Sequence, residues 1–229
     1  MWSWAVEDEY LPANLLRAIH PDAPPDPVVE PFTQKEVESL LAACERKQTW
    51  KTATAGDQPH TERDKAIVYL LLDTGLRASE LCAIRLTDLD LNTNSITVVG
   101  KGDKKRIVHV GKRTAKALWK LVTPRLGKQD PDAYLFTVGD SADTRPLNRD
   151  TLRHLLDRIA ERAGVANVYP HRFRHTFAIT YLRNGGDLFT LQALLGHSDL
   201  EMVRRYARIA QTDCARVHQK ASPVDNWRL

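Results

Sequence analysis

Several kinds of residue and pattern are scarce in this sequence, and each absence removes a class of protein. Cysteine occurs three times, at Cys44, Cys82 and Cys214, an odd number set far apart. No zinc-ligand spacing and no disulfide framework can be read from them, so a reducing cytoplasm is the expected home. No apolar run reaches the roughly 18 residues of a membrane-spanning helix. No basic stretch followed by an apolar one opens the chain, as a secretory leader would. A soluble, unsecreted protein with no membrane partner is expected. There is no internal repeat and no low-complexity tract. One-sided charge is missing too: 33 Lys and Arg face 29 Asp and Glu, a net charge of +4. That balance permits an anionic partner without demanding one, because distribution matters more than the total.

What is present is ordinary globular material. With 229 residues, 42% hydrophobic and 27% charged, the chain is long enough to bury a large core in one substantial domain. Residues 1–20 read as a short helix, a turn at Pro12 and a second helical piece. The stretch PDAPPDPVVEP, 21–31, holds five prolines and reads as an extended linker. Order resumes at Thr33, where Thr33 and Glu36 have capping-box spacing and Phe32 and Val37 are placed as a hydrophobic staple. Helical periodicity follows from Val37 to Cys44, and again over 61–73 around the buried-looking run AIVYLLL. A loop is expected over 47–60. After the turn TGLR a helix is expected over 78–86. The period then changes: SITVVGKGDKKRIVHV, 95–110, reads as a β-hairpin with a Gly- and Lys-rich turn. Helices are expected over 112–122, 147–164, 171–183, 187–195 and 199–208, and QTDCARVHQKA, 211–221, can form another. The sum is about eight helices and one small sheet, a mainly helical α+β domain.

Four polar clusters carry groups suited to a phosphodiester. In TGLRASEL, 74–81, Arg77 follows a tight turn at a helix start, where a guanidinium can fork onto two phosphate oxygens, and Glu80 is placed to orient it. An exposed Arg–Glu pair of little energetic value is the plain alternative. In GKGDKKR, 100–106, Lys101 sits between two glycines, and Lys104, Lys105 and Arg106 add positive charge. A lysine on such a tip can protonate a leaving alkoxide; a solvated turn is the alternative. In HRFRHTFA, after Pro170, residues His171, Arg174 and His175 share one face of a helix, a set that suits a developing oxyanion. His171 and His175 also have metal-ligand spacing, but no glutamate lies between them and no third ligand is evident. His175 reads equally as a core histidine. In LLGHSDLEMVRRY, Ser198 and Glu201 form a second capping box, so His197 precedes a helix start and Tyr206 lies two turns along. A phenol, with a pKa near about 10, is a poor nucleophile unless cations stabilise the phenolate. Arg204 and Arg205 are its neighbours in sequence but point elsewhere on a helix. Tyr206 alone reads as a core aromatic.

In this order the clusters resemble the tyrosine recombinase (phage integrase) family. Arg77 in TGLRxSEL, Lys101 in GKGxK, HxxRH at 171–175, LGHSD and a tyrosine nine residues after that histidine make up the family pattern, over about residues 30–210. The wording of GKGDKKR, HRFRHTFA and LLGHSDL is most similar to Xer-like and to integron- or transposon-type integrases. The resemblance implies that Arg77 and Arg174 hold non-bridging oxygens of the scissile phosphate and that Lys101 is the general acid. His171 would assist proton transfer or orient the phosphate, and His197 would hydrogen-bond a phosphate oxygen. Glu80 and His175 would support these from behind, and Tyr206 would be the nucleophile that forms a 3′-phosphotyrosyl link. Further DNA contacts are expected from Lys104, Lys105, Arg106, Arg172, Arg204 and Arg205. No metal and no cofactor is implied. The partner would be double-stranded DNA, with a homo-tetramer assembled on it by the full-length protein and a monomer off DNA for this chain.

Such proteins carry a helical core-binding domain ahead of the catalytic one. The expectation is therefore that 1–20 is the last helix of that domain, 21–31 the linker, 32–210 the catalytic domain and 211–229 a tail that docks on a neighbouring protomer. Two competing readings remain at this point: a catalytically silent DNA-binding fragment of an integrase, and a metal-dependent nuclease using His171, His175 and His197.

Overall fold

The computed structural model describes residues 29–45, 60–100, 102–138 and 145–196, with single positions at 218, 222 and 224. The helices expected within 1–20 and over 199–208, most of the proline-rich linker and the tail helix over 211–221 lie outside the described residues. The fold is mainly helical α+β, as the sequence implies.

Helix α1 spans Gln34–Glu45. The backbone N–H of Thr33 donates to Glu36 Oε2 at 2.7 Å, and the Glu36 N–H donates to Thr33 Oγ1 at 3.3 Å. This is the reciprocal capping box read from the sequence. Phe32 lies tilted on Phe173 with ring centroids 4.8 Å apart, which ties the start of α1 to a later helix. Helix α2, Thr61–Thr74, buries Ala66, Ile67, Val68, Leu70 and Leu71 completely. Burial of each large aliphatic side chain there contributes about 1.5–3 kcal/mol, so α2 is the spine of the core. It ends on Gly75, whose φ of +61° closes the helix in the left-handed region.

Helix α3, Ala78–Ala83, is shorter than expected. Ile84 leaves it in an extended conformation, Arg85 makes an isolated bridge to Tyr134, and a 3-10 turn covers Leu86–Asp88. Strands β2, Ser95–Val99, and β3, Lys105–His109, form the expected hairpin, with Val98 opposite Arg106 and Val99 opposite Lys105. Two features were not anticipated. Strand β1, Leu89–Asp90, adds a third strand, and β4, Thr137–Val138, pairs with β5, Arg145–Pro146, as a separate two-stranded sheet. Two-residue strands carry no period to detect, and a proline in β5 argues against a strand on sequence grounds.

Helix α4, Lys112–Val122, packs on α2, and α5, Arg149–Ala163, packs on α1. Asn148 caps α5 by accepting from the Thr151 N–H at 2.8 Å, and Gly164 closes it at φ +67°. Helix α6, Pro170–Arg183, starts with proline in its first turn and also packs on α2. Helix α7, Leu188–Leu195, is capped by Asp187 and closed by Gly196 at φ +62°. Ala178, Ile179 and Leu182 of α6 and Leu191 and Leu195 of α7 form a small apolar cluster beside the main core. That cluster fixes the C-terminal end of α7 against α6, and the same end reaches β3. Among the described residues, no helix is long and apolar enough to cross a membrane.

Candidate active site

The ends of α2, α6 and α7, the start of α3 and one edge of the hairpin meet at one place, and charged side chains fill it. Arg77 precedes α3 in an extended conformation. Its backbone N–H donates to Glu80 Oε2 at 2.9 Å and its Nη1 donates to Glu80 Oε1 at 3.0 Å. Glu80 therefore holds both the backbone and the head of Arg77. Arg106 reaches in from β3 and forks onto the same carboxylate, Nη1 to Oε1 at 2.9 Å and Nη2 to Oε2 at 2.8 Å. The Glu80 side chain is only 3% exposed, against 14% for Arg106 and 41% for Arg77. Burial alone pushes the Glu80 carboxyl up. The hydrogen bonds from the Arg106 guanidinium and the Arg77 backbone outweigh it and hold the group below its ordinary range.

Arg174 is 3% exposed. Its Nη1 donates to the Gly75 carbonyl and its Nη2 to the Leu195 carbonyl, both at 2.7 Å. Arg77 Nη1 also reaches the Leu195 carbonyl, at 3.4 Å. Two arginines from separate clusters of the sequence thus converge on one oxygen. Arg106 Nε donates to the adjacent Leu194 carbonyl at 2.9 Å. The carbonyl end of α7, the negative end of its dipole, therefore gathers three guanidiniums. Among the described residues, Arg77 and Arg106 of these three also share the Glu80 carboxylate, which both contact.

Glycine is required at the hinge of this arrangement. A Cβ on Gly75 would lie 2.6 Å from Phe177 Cδ1 and 3.0 Å from Leu195 Cδ2, at a positive φ of +61°. The backbone approach that brings the Gly75 carbonyl to Arg174 exists because no side chain is there.

The structure brings Arg77, Glu80 and Arg174 together as expected. His171 is exposed in the first turn of α6, while His175, one turn on, is buried. Lys104 and Lys105 are exposed at the start of β3. Two expected DNA contacts are placed otherwise. Arg106 faces inward onto Glu80 and Leu194. Arg172 is buried under the segment ahead of α1, with Nε on the Glu30 carbonyl at 3.0 Å, Nη1 on the Ala166 carbonyl at 2.8 Å and Nη2 on Glu36 at 3.0 Å. Its guanidinium also stacks 3.9 Å over the Phe32 ring. It fastens the chain to α6 and is not presented to a groove. Lys101, His197, Arg204, Arg205 and Tyr206 lie outside the described residues. No group of three metal-ligating side chains occurs among the described residues.

Sequence reading missed two arginines beside the site. An open groove lined by Ala78, Arg149, Arg153, Tyr169 and Pro170 runs from the residue after Arg77 to the residue before His171. Arg149 and Arg153 are exposed one helical turn apart; their i, i+4 spacing in LNRDTLRH was the available signal.

A mainly helical α+β domain that gathers three arginines at the end of one helix suits the binding of an anion. The phage integrase family description matches residues 30–213, and the chain belongs to this family, the tyrosine recombinases, whose members are site-specific DNA recombinases. It is similar to the tyrosine recombinase XerC of Staphylococcus epidermidis, 31% identical over 221 residues, covering 96% of this chain and 70% of that protein. Over 200 residues it is 34% identical to the XerC of Bacillus pumilus, covering 84% of this chain and 64% of that one. Among solved structures, the XerA recombinase superposes with a TM-score of 0.66 at 28% identity, over 89% of this chain and 67% of that one. The XerH recombinase bound to a palindromic difH substrate shares the fold at a TM-score of 0.63 and 24% identity, over 86% of this chain and 54% of that one.

Proposed function

We propose that this chain cuts and rejoins DNA through Tyr206. In this reading the Tyr206 hydroxyl attacks the scissile phosphorus, the bond to the 5′-oxygen breaks, and Lys101 delivers the proton to that leaving oxygen. The tyrosine keeps the 3′-phosphate as a phosphodiester, so the bond energy is conserved. A 5′-hydroxyl from another strand then attacks, reversing the step onto a new partner. Arg77 and Arg174 hold the non-bridging oxygens as negative charge builds on phosphorus. His197 donates a further hydrogen bond, and His171 assists the proton traffic from the exposed start of α6. Glu80 keeps Arg77 in place.

The observation that carries this reading is the convergence of Arg77 and Arg174 on the Leu195 carbonyl. Two guanidiniums held by backbone carbonyls and a buried carboxylate are rigid before any substrate arrives, the condition for electrostatic stabilisation of a transition state. The site supplies this charge without a metal or a cofactor. The DNA backbone on either side is met by Lys104, Lys105, Arg149 and Arg153, with Arg204 and Arg205 as further contacts. The chain acts in the cytoplasm, with residues 32–210 as the catalytic unit. It is a monomer off DNA, and the full-length protein forms a tetramer across two sites, with 211–229 docking on a neighbour.

The test is covalent trapping. The chain is mixed with nicked duplexes tiled across the DNA flanking its reading frame, and an SDS-resistant adduct is sought. Wild type forms it, and Tyr206→Phe binds DNA without forming it. An adduct that persists in Tyr206→Phe would overturn the assignment. DNA binding with no adduct from the wild type would favour a catalytically silent binding fragment.

A further inference from the structure

Arg106 lies where three separately placed parts of the site meet, and we propose that it is the positioning residue of the active centre rather than a DNA contact; this rests on the catalytic reading above. Its fork onto Glu80 sets the carboxylate that holds the head and backbone of Arg77. Its Nε holds the Leu194 carbonyl at the end of α7. Two glycines also lie beside it, where a side chain would meet the guanidinium. A Cβ on Gly196 would lie 3.2 Å from Arg106 Nη1 and 3.3 Å from Cζ, and one on Gly100 would lie 3.4 Å from Nη1. Gly100 directly precedes Lys101, and Gly196 directly precedes His197.

One planar guanidinium therefore links the turn that presents Arg77 to the end of α7, and it lies beside the glycines that precede Lys101 and His197 in the chain. A fork with three engaged nitrogens fixes direction as well as distance, which a lysine ammonium cannot do. The placement on β3 follows from strand alternation. Arg106 and Val108 point inward while Lys105, Ile107 and His109 point out. Losing the fork releases all three segments together, while the charge that meets DNA stays where it is.

The test uses Arg106→Lys, Arg106→Gln, Glu80→Gln and the Arg106→Lys/Glu80→Gln pair in the 229-residue chain. Arg106→Lys keeps the charge and carries the comparison if Arg106→Gln does not fold. Amide hydrogen exchange needs no DNA. The Gly100, Gly196 and Arg77 amides are expected to exchange about tenfold faster in the variants, with Leu70 and Leu71 in α2 unchanged. Wild-type exchange at all three would overturn the proposal. Binding to a fluorescent duplex of arbitrary sequence is measured against salt. An unchanged slope is expected for Arg106→Gln, and a slope lower by about one would make Arg106 a phosphate contact and refute the proposal. At saturating DNA, the rate of adduct formation is expected to fall at least about tenfold with affinity retained. The double variant should be no slower than the slower single one. An unchanged rate, or strictly additive losses, would also refute it. Absence of any wild-type adduct would count against the catalytic reading alone, leaving exchange and salt slope to decide the role of Arg106.

Discussion

Replacing Glu80 by glutamine keeps the shape of the side chain and removes its charge. The wild-type carboxylate accepts four hydrogen bonds, two from Arg106 and two from Arg77. A glutamine can accept on one oxygen, but its NH2 group then faces an arginine donor. Arg106, with a side chain 14% exposed, is left facing an uncharged partner, whereas Arg77, at 41%, can turn to water. Breaking a buried ion pair from one side costs about 3–5 kcal/mol. The freedom of Arg77 places this case at the lower end, about 3 kcal/mol. For a chain of this size, that lowers Tm by about 6–12 °C. The pH dependence gives an independent check. The folded Glu80 carboxyl sits below its ordinary value of 4.5. Its contribution is therefore fully present above that value and is lost as pH falls through the lower folded one. The gap between wild type and Glu80→Gln should be constant at neutral pH and close below about pH 4.5. Urea unfolding followed by circular dichroism across pH measures both. A loss below about 1 kcal/mol would match an exposed pair and refute the buried-strut account, as would a gap that widens in acid.

Gly75→Ala should cost about 2–4 kcal/mol in the same assay, combining left-handed strain with overpacking against Phe177 and Leu195; a neutral effect would show that this turn is not the tight hinge described. Arg172→Ala should lower stability by about 1–2 kcal/mol by releasing the segment at Glu30–Glu36 and leave the salt slope of DNA binding unchanged. Lys105→Ala should do the reverse, leaving stability within about 0.5 kcal/mol and lowering the slope by about one. The opposite pattern would return Arg172 to the DNA surface. Burial pushes the Cys44 thiol up to about 12 and the Cys82 thiol up to about 11. Since the thiolate is the reactive form, iodoacetamide at mildly alkaline pH should modify neither in the folded protein and both after unfolding. Labelling of either in the folded chain would contradict the packing around α1 and α3.

Among the described residues the hairpin and the longer helices were legible in the sequence because each carries a period and marked ends. Thr33 with Glu36, Gly164 and Pro170 act as their positions imply, whereas Asn148, expected inside its helix, caps it instead. The short strands at 89–90, 137–138 and 145–146 were not legible, since two residues show no alternation and their partners are set by tertiary contact. Within the site, the motif residues Arg77, Glu80 and Arg174 could be named, but not that the two arginines share the carbonyl end of α7. Backbone carbonyls have no sequence signature. Arg106 and Arg172 were assigned to DNA because charge near a motif suggests a surface. Strand alternation already placed Arg106 on the inward face with Val108. The burial of Arg172 depends on Glu30, Phe32 and Glu36, more than a hundred positions away in sequence, and no local pattern reports it.

The most direct test of the central claim is to identify the atom that carries the DNA. A trapped adduct, formed in the presence of a strong chelator, is digested with protease and nuclease and mapped by mass spectrometry. The account requires a single nucleotide linked through its 3′-phosphate to the Tyr206 hydroxyl, with a free 5′-hydroxyl on the released strand. A nucleotide on another residue, a 5′-phosphate linkage, or cleavage that disappears with the chelator would contradict it.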